Sequence, residues 1–219
     1  MTIRVLVADD QSMVRAGFRM LLGGEKDLEV VAEAGNGIEA VEKTGRFHPD
    51  VILMDIRMPE LDGLQATRRI LAADNGARIL ILTTFDLDEY VYEALRAGAS
   101  GFVLKDDSPE QLITAVRTVA AGDALLSPAI TKRVIQKFAH MPRPAPPKGL
   151  DELSERELDV FRLMARGLSN GEIGQELFIS ETTVKTHVTH VLQKLNLRDR
   201  VQAVVLAHQT GVFEAETRR

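Results

Sequence analysis

The chain has no cysteine in its 219 residues. Disulfides and thiolate metal sites are therefore excluded, and any metal chemistry must use oxygen or imidazole donors. No apolar run approaches the ~20 residues that a membrane span requires. The N-terminus also lacks the basic-then-apolar layout of a secretion signal, so the cytoplasm is the default location. Internal repeats are absent. So are low-complexity segments, apart from one proline-rich stretch, His140-Met-Pro-Arg-Pro-Ala-Pro-Pro-Lys-Gly149.

What remains has the balance of a globular protein, with 45% hydrophobic and 27% charged residues. The net charge of −5 is unevenly spread. Residues 1–125 carry 13 basic and 21 acidic side chains, residues 126–149 carry 5 basic and no acidic ones, and residues 150–219 carry 9 against 11. An acidic first half suits cation binding, whereas nucleic-acid binding would have to rest on a local patch.

The first 125 residues alternate short apolar runs with helical periodicity. Ile3–Ala8, Glu29–Ala34, Val51–Met54, Ile79–Thr83 and Gly101–Leu104 read as strands buried on both faces. Helices are expected around Val14–Leu22, Ile38–Thr44, Gly63–Leu71 and Glu89–Ala97. A fifth is announced by Ser108, Pro109 and Gln111 as cap, first residue and capping-box partner. Five such βα units predict an α/β fold with a doubly wound, five-stranded parallel sheet. Ser127-Pro128 repeats the cap-plus-proline device and predicts a linker helix to about Ala139. The proline-rich stretch after it reads as an extended spacer. From residue 150 onward, Ser154, Ser169, Ser180 and Asp199 each precede a helical run, which predicts a second, smaller all-α domain over 150–219. Asp62-Gly63 reads as a turn.

In an open α/β sheet, function collects beyond the carboxyl ends of the strands. There the sequence places Asp9 and Asp10 after the first strand, Asp55 after the third, Thr83 (with Thr84) after the fourth and Lys105 after the fifth. Singly, each is a turn former, strand residue or solvated loop charge. Together, at the ends of different strands, they form a site. Crowded carboxylates without His or Cys favour Mg²⁺. An aspartate flanked by such an ion and a lysine is suited to accept a phosphoryl group.

The stretches Val-Ala-Asp9-Asp10, Leu-Met-Asp55-Ile-Arg57-Met58-Pro59-Glu-Leu-Asp62-Gly63, Leu-Thr83-Thr and Gly101-Phe102-Val-Leu-Lys105 resemble the receiver domains of bacterial two-component response regulators, which are flavodoxin-like. The resemblance implies that Asp55 takes phosphate from a sensor histidine kinase. It also implies that Asp9, Asp10, Asp55 and the backbone carbonyl of Arg57 hold Mg²⁺, and that Thr83 and Lys105 contact the phosphoryl group. Thr83 and Phe102 would form the conformational switch, with Phe102 where many relatives carry Tyr. Two other classes fit poorly. A dehalogenase-like phosphatase wants a second Asp where Arg57 stands, and a flavin carrier wants a Ser/Thr/Gly cradle in place of Asp9-Asp10.

At ~100° per residue, Val184, Val188, Val191 and Leu195 fall on one stripe of the helix after Ser180. Thr182, Thr186, Thr189 and Gln193 lie opposite, with Lys185 and His190 flanking. A small, uncharged, hydrogen-bonding face beside a lysine suits base edges and phosphates in a major groove. Lys194, Arg198 and Arg200 follow, placed to meet phosphate. Leu153-Ser-Glu-Arg-Glu157, Arg166-Gly167-Leu-Ser169-Asn170-Gly-Glu172-Ile173 and Ile179-Ser-Glu-Thr-Thr183-Val-Lys185-Thr-His187-Val resemble the LuxR-type helix-turn-helix. With the receiver, the whole chain is similar to the NarL/FixJ class of response regulators. The expected DNA-binding set is Thr182, Lys185, Thr186, Thr189, His190 and Lys194. Glu157, Glu172 and Glu181 need no role beyond complementing helix dipoles. His187 and His190 lack a third ligand for a metal. Val201, Val204 and Val205 of the last helix suit either core packing or pairing between copies.

The expectation is a cytoplasmic transcriptional regulator, not an enzyme beyond slow self-phosphorylation and autodephosphorylation. Its partners would be a sensor histidine kinase and double-stranded promoter DNA, with a homodimer forming on phosphorylation and no membrane contact. The alternative is an orphan DNA-binding regulator that works without phosphorylation.

Overall fold

Every apolar run of the first half forms a strand in the structure, a computed structural model that describes residues 2–73, 76–83, 88–122 and 149–210. The strands are β1 (Ile3–Ala8), β2 (Leu28–Ala34), β3 (Val51–Asp55), β4 (Arg78–Thr83) and β5 (Gly101–Leu104). They form one parallel sheet in the order β2-β1-β3-β4-β5. The helices between them are α1 (Ser12–Gly23), α2 (Gly37–Phe47), α3 (Gly63–Ala72) and α4 (Asp88–Ala97), followed by α5 (Pro109–Ala120). Both faces of the sheet are covered, so Val51–Met54 and Ile79–Leu82 are fully buried. One face carries Val5, Val7, Leu53, Leu80 and Leu82, packed against Leu112, Val116 and Val119 of α5.

The strand order reverses between β1 and β3, which opens a crevice beyond their carboxyl ends. Side chains fix the helix starts around it. Asn36 accepts from Glu39 N at the start of α2, and Asp62 accepts from Gln65 N at the start of α3. Ser108 and Gln111 form a reciprocal capping box on α5. Each cap of this kind contributes about 1 kcal/mol. Asp62 is thus a helix cap and Gly63 the first helical residue, as the expected helix start has it, so the pair is not a turn in its own right.

The chain divides into two compact units, Met1–Leu125 and Leu126–Arg219. In the second, a 3₁₀ turn (Leu150–Glu152) leads into α6 (Glu155–Ala165), α7 (Asn170–Leu177), α8 (Glu181–Lys194) and α9 (Arg200–Thr210). Ser154/Glu157 and Ser169/Glu172 are capping boxes, and Ser180 caps α8. Phe161, Met164, Ile173, Val184, Val188 and Val191 form the core, joined by Ala203 and Ala207 of α9. Val201, Val204 and Val205 are buried as well. No described helix is long and apolar enough to cross a membrane. The expected linker helix, the proline-rich stretch before Gly149, and Thr84 lie outside the described residues.

Candidate metal centre and nucleic-acid interface

Asp9, Asp10 and Asp55 meet at the crevice, each offering a carboxylate oxygen within 4.8 Å of the other two. Asp9 and Asp55 are buried, while Asp10 is exposed. Lys105 reaches in from β5, with Nζ 2.6 Å from Asp9 Oδ2 and 3.0 Å from Asp55 Oδ2. Burial pushes the Asp55 carboxyl above the ordinary aspartate range, and the Lys105 hydrogen bond opposes this only in part. Burial also works against the Lys105 ammonium, but its hydrogen bonds to Asp9 and Asp55 outweigh that and hold its pKa above the usual lysine value. Lys105 thus bridges two of the three carboxylates.

The donor set fits a hard divalent cation. All three side-chain ligands are oxygens, and Asp9 Oδ2 is buried against the Lys105 ammonium. Beside it lies an open depression of about 510 Å³ lined by Asp10, Ile56, Arg57, Met58, Pro59, Asp62 and Leu64. Arg57 stands at its wall, on the exposed side. Thr83, at the end of β4, is 5% exposed, and its carbonyl accepts from Lys105 N at 2.8 Å. Phe102 is 3% exposed and pairs with Ile81 across the ladder. Five chain-distant residues therefore share one edge of the sheet.

The floor of this site is a backbone packed against a backbone, a feature that sequence reasoning missed. Gly63 N donates to Ile56 O at 2.9 Å. A Cβ built on Gly63 would stand 1.9 Å from Asp55 O. Gly37 meets Leu61 in the same way, donating to its carbonyl at 3.0 Å, where a Cβ would come within 2.3 Å of that oxygen. An Asp-Gly pair shortly after β3 was the available signal.

In the second unit, α8 turns Val184, Val188 and Val191 inward and leaves Thr182, Lys185, Thr186, Thr189 and Gln193 exposed. Thr186 Oγ1 donates to Thr182 O, and Thr189 Oγ1 donates to Lys185 O. Each hydroxyl keeps its acceptor capacity outward. Lys185 Nζ pairs with Glu181 at 3.2 Å in the open, a contact that water and DNA can replace. The turn before α8 is fixed by Gly174, whose Cβ would lie 2.7 Å from Ile179 O, and by Ile179 N donating to Gly174 O. Phe178 ends α7 in the left-handed region (φ 55°).

The other two expected DNA-binding residues, also exposed, each have an acidic neighbour. Lys194 Nζ lies 2.7 Å from Glu157 Oε2 and donates to Glu152 O at 3.1 Å. His190 Nδ1 lies 3.6 Å from Glu157 Oε1. Glu157 is therefore more than a helix-dipole partner. Buried at 5% exposure, it accepts from Lys194, Ser154 N and Ser154 Oγ. The Lys194 hydrogen bond, backed by Ser154, brings its pKa down to about 2. Arg200 is also structural. It is 8% exposed and donates to Asn170 Oδ1 and Leu168 O, so it is not placed on the surface to meet phosphate.

Residues 5–117 match the family model of the response regulator receiver domain, and residues 151–207 match that of bacterial regulatory proteins of the luxR family. The chain is a DNA-binding two-component response regulator. This regulator is 44% identical over 213 residues to the uncharacterized transcriptional regulatory protein YxjL of Bacillus subtilis, with 97% of this chain and 98% of that one covered. It is 41% identical over 209 residues to the oxygen regulatory protein NreC of Staphylococcus carnosus, covering 94% and 96%. Among solved structures it resembles ChrA, the response regulator of a heme-sensing two-component system. There the identity is 38%, the coverage 96% and 98%, and the TM-score 0.52. The regulator is of the NarL/LuxR type, with a five-stranded parallel receiver sheet and a helical second domain.

Proposed function

We propose that Asp55 is the phosphoacceptor of this response regulator and that its phosphorylation by a sensor histidine kinase controls dimerisation and promoter binding. The observation that carries this reading is the meeting of Asp9, Asp10 and Asp55 around the Lys105 ammonium at the reversal point of the sheet. Asp9, Asp10, Asp55 and the Arg57 carbonyl would hold Mg²⁺. The bound ion supplies positive charge that offsets the oxygens of the transferring group.

The chain's own residues do the rest. An Asp55 oxygen attacks phosphorus as the bond to the kinase's histidine nitrogen breaks. The electron pair leaves on that nitrogen, and a mixed anhydride remains on Asp55. Lys105, held beside Asp55, is placed to pair with the incoming phosphoryl oxygens. Thr83 offers a hydroxyl from the neighbouring strand. Movement of Thr83 toward the phosphoryl group leaves space that Phe102 takes up, and the equilibrium between two receiver states shifts. Phosphorylated receivers pair, and two α8 helices then read two half-sites with Thr182, Lys185, Thr186 and Thr189. Coupling two weak contacts raises affinity through effective concentration. His190 and Lys194 serve the same surface from the Glu157 side, holding the end of α8 in place.

The test is labelling of the full chain by a small-molecule phosphodonor with Mg²⁺ present. Wild type should be labelled, and Asp55→Asn should not. Equal labelling of both removes Asp55 from the mechanism. No labelling of wild type by any donor or kinase leaves a regulator that works without phosphate.

A further inference from the structure

The helix that starts beside the acidic pair has no side-chain cap. Helices α2, α3 and α5 of the same domain are each closed by a residue whose side chain accepts from the first turn. At α1 the capping position is Gln11, which makes no such bond. The helix start after Asp9 and Asp10 therefore lacks the capping side chain found at α2, α3 and α5, although two proposed metal-ligating side chains must point one way from this loop.

A longer-range lock takes its place. Arg15, one turn into α1, folds back so that Nη1 donates to the backbone carbonyl of Asp9 at 2.7 Å. Its Nε lies 3.6 Å from Glu33 Oε2 on the neighbouring strand β2, with the side chain 19% exposed. Arg19 Nη1 donates to the other Glu33 oxygen at 3.3 Å. The remaining polar groups of Asp9 are engaged too: N donates to Ala34 O, and Oδ1 accepts from Gln11 N at 2.9 Å. The Asp9 peptide is thus pinned to β2 on one side and to α1 on the other.

We propose that Arg15 is a positioning residue for divalent-cation binding, clamping the Asp9 carbonyl against Glu33 so that the Asp9 and Asp10 carboxylates converge. The inference rests on the reading of Asp9, Asp10 and Asp55 as an Mg²⁺ site. Partners behind a metal ligand typically alter affinity by about 10- to 100-fold when removed. A clamp on the backbone belongs near the lower end of that range.

Charge alone predicts the opposite sign. A guanidinium near three carboxylates competes with a cation, so its removal would tighten binding if only its charge mattered. Mg²⁺ titrated calorimetrically into the full chain at 25 °C separates the two. The expected result is a dissociation constant raised about ten-fold in Arg15→Gln. Arg15→Lys keeps the charge but cannot span both partners, and should show a smaller rise in the same direction. Binding by Arg15→Gln that is unchanged or tighter than wild type overturns the proposal. If Arg15→Gln does not fold, Arg15→Lys decides alone: weaker binding supports the clamp, and unchanged binding overturns it. Wild type that takes up no Mg²⁺ overturns the site reading, and the clamp with it. Wild-type binding with unaltered variants overturns only the clamp.

Discussion

Replacing Gly63 by alanine adds one methyl group where no room exists. The new Cβ would stand 1.9 Å from Asp55 O, 2.9 Å from Asp55 C and 3.1 Å from Ile56 Cα. Ordinary carbon–oxygen contact begins beyond 3 Å, so α3 and the end of β3 must separate by about 1 Å at dense packing. Neither side is a flexible side chain. Asp55 is held in the ladder opposite Leu82, and Gly63 N is bonded to Ile56 O. Overpacking of this kind costs about 1–3 kcal/mol, and contact of backbone with backbone points to the upper end. Replacing glycine by alanine inside a helix returns up to about 1 kcal/mol. A net loss of about 2 kcal/mol remains, or roughly 6–12 °C in the receiver's melting transition.

Chemistry should suffer more than stability, because the displaced carbonyl belongs to Asp55, the proposed phosphoacceptor. A shift of about 1 Å can cost on the order of 100-fold in rate. Calorimetry of the full chain and the initial rate of phosphoryl labelling read the two effects. Gly17→Ala is the control: it lies on the exposed side of α1 with nothing within 4 Å of a new Cβ. It should be neutral or stabilising by up to about 1 kcal/mol. A Gly63→Ala protein with wild-type melting and wild-type labelling would refute the close approach, and with it the account of how α3 sets the floor of the site.

Other expectations concern the second domain. The folded pKa of Glu157 is depressed to about 2 from an ordinary 4.5, so its contribution is present above pH 4.5 and disappears as pH falls through 2. With the half-exposed Lys194 partner discounted, this amounts to about 1–2 kcal/mol, and chemical denaturation of Glu157→Gln should show a flatter stability profile between pH 5 and 2. A wild-type-like slope in that variant would assign the acid sensitivity to another group. On DNA, Lys185→Gln should weaken binding to all sequences and lower the slope of log K against log salt by about 0.9. Thr186→Ala should instead lose about 1–3 kcal/mol on the preferred site alone, so footprinting on specific and random DNA distinguishes the two roles.

How much of this was legible depended on the range of the interactions. The strands could be read because both sheet faces are covered, which leaves continuous apolar runs such as Val51–Met54. Their ends moved by a residue where the ladder extends to polar groups, as at Arg78 and Asp55. Helix starts were legible through local caps such as Ser108, Ser154 and Ser169. The convergence of Asp9, Asp10, Asp55 and Lys105 followed from strand order. What pattern could not supply was partnership across long sequence distance. Glu157 looked like a helix-start acid until Lys194, 37 residues later, was seen on it. Arg200 looked like a phosphate contact until its guanidinium was found on Asn170 and Leu168. Long basic side chains near a helix end have several acceptors in reach, and only the packed fold selects one.

Thr186 and Thr189 of α8 bond back onto their own helix. The angle of that helix is set instead by the Gly174–Ile179 contact and by a separate valine stripe. The residues proposed to read DNA and the residues that hold the helix are thus different ones. On that proposal, the outward side chains could be exchanged one at a time to change the preferred operator while the architecture that presents them stays untouched.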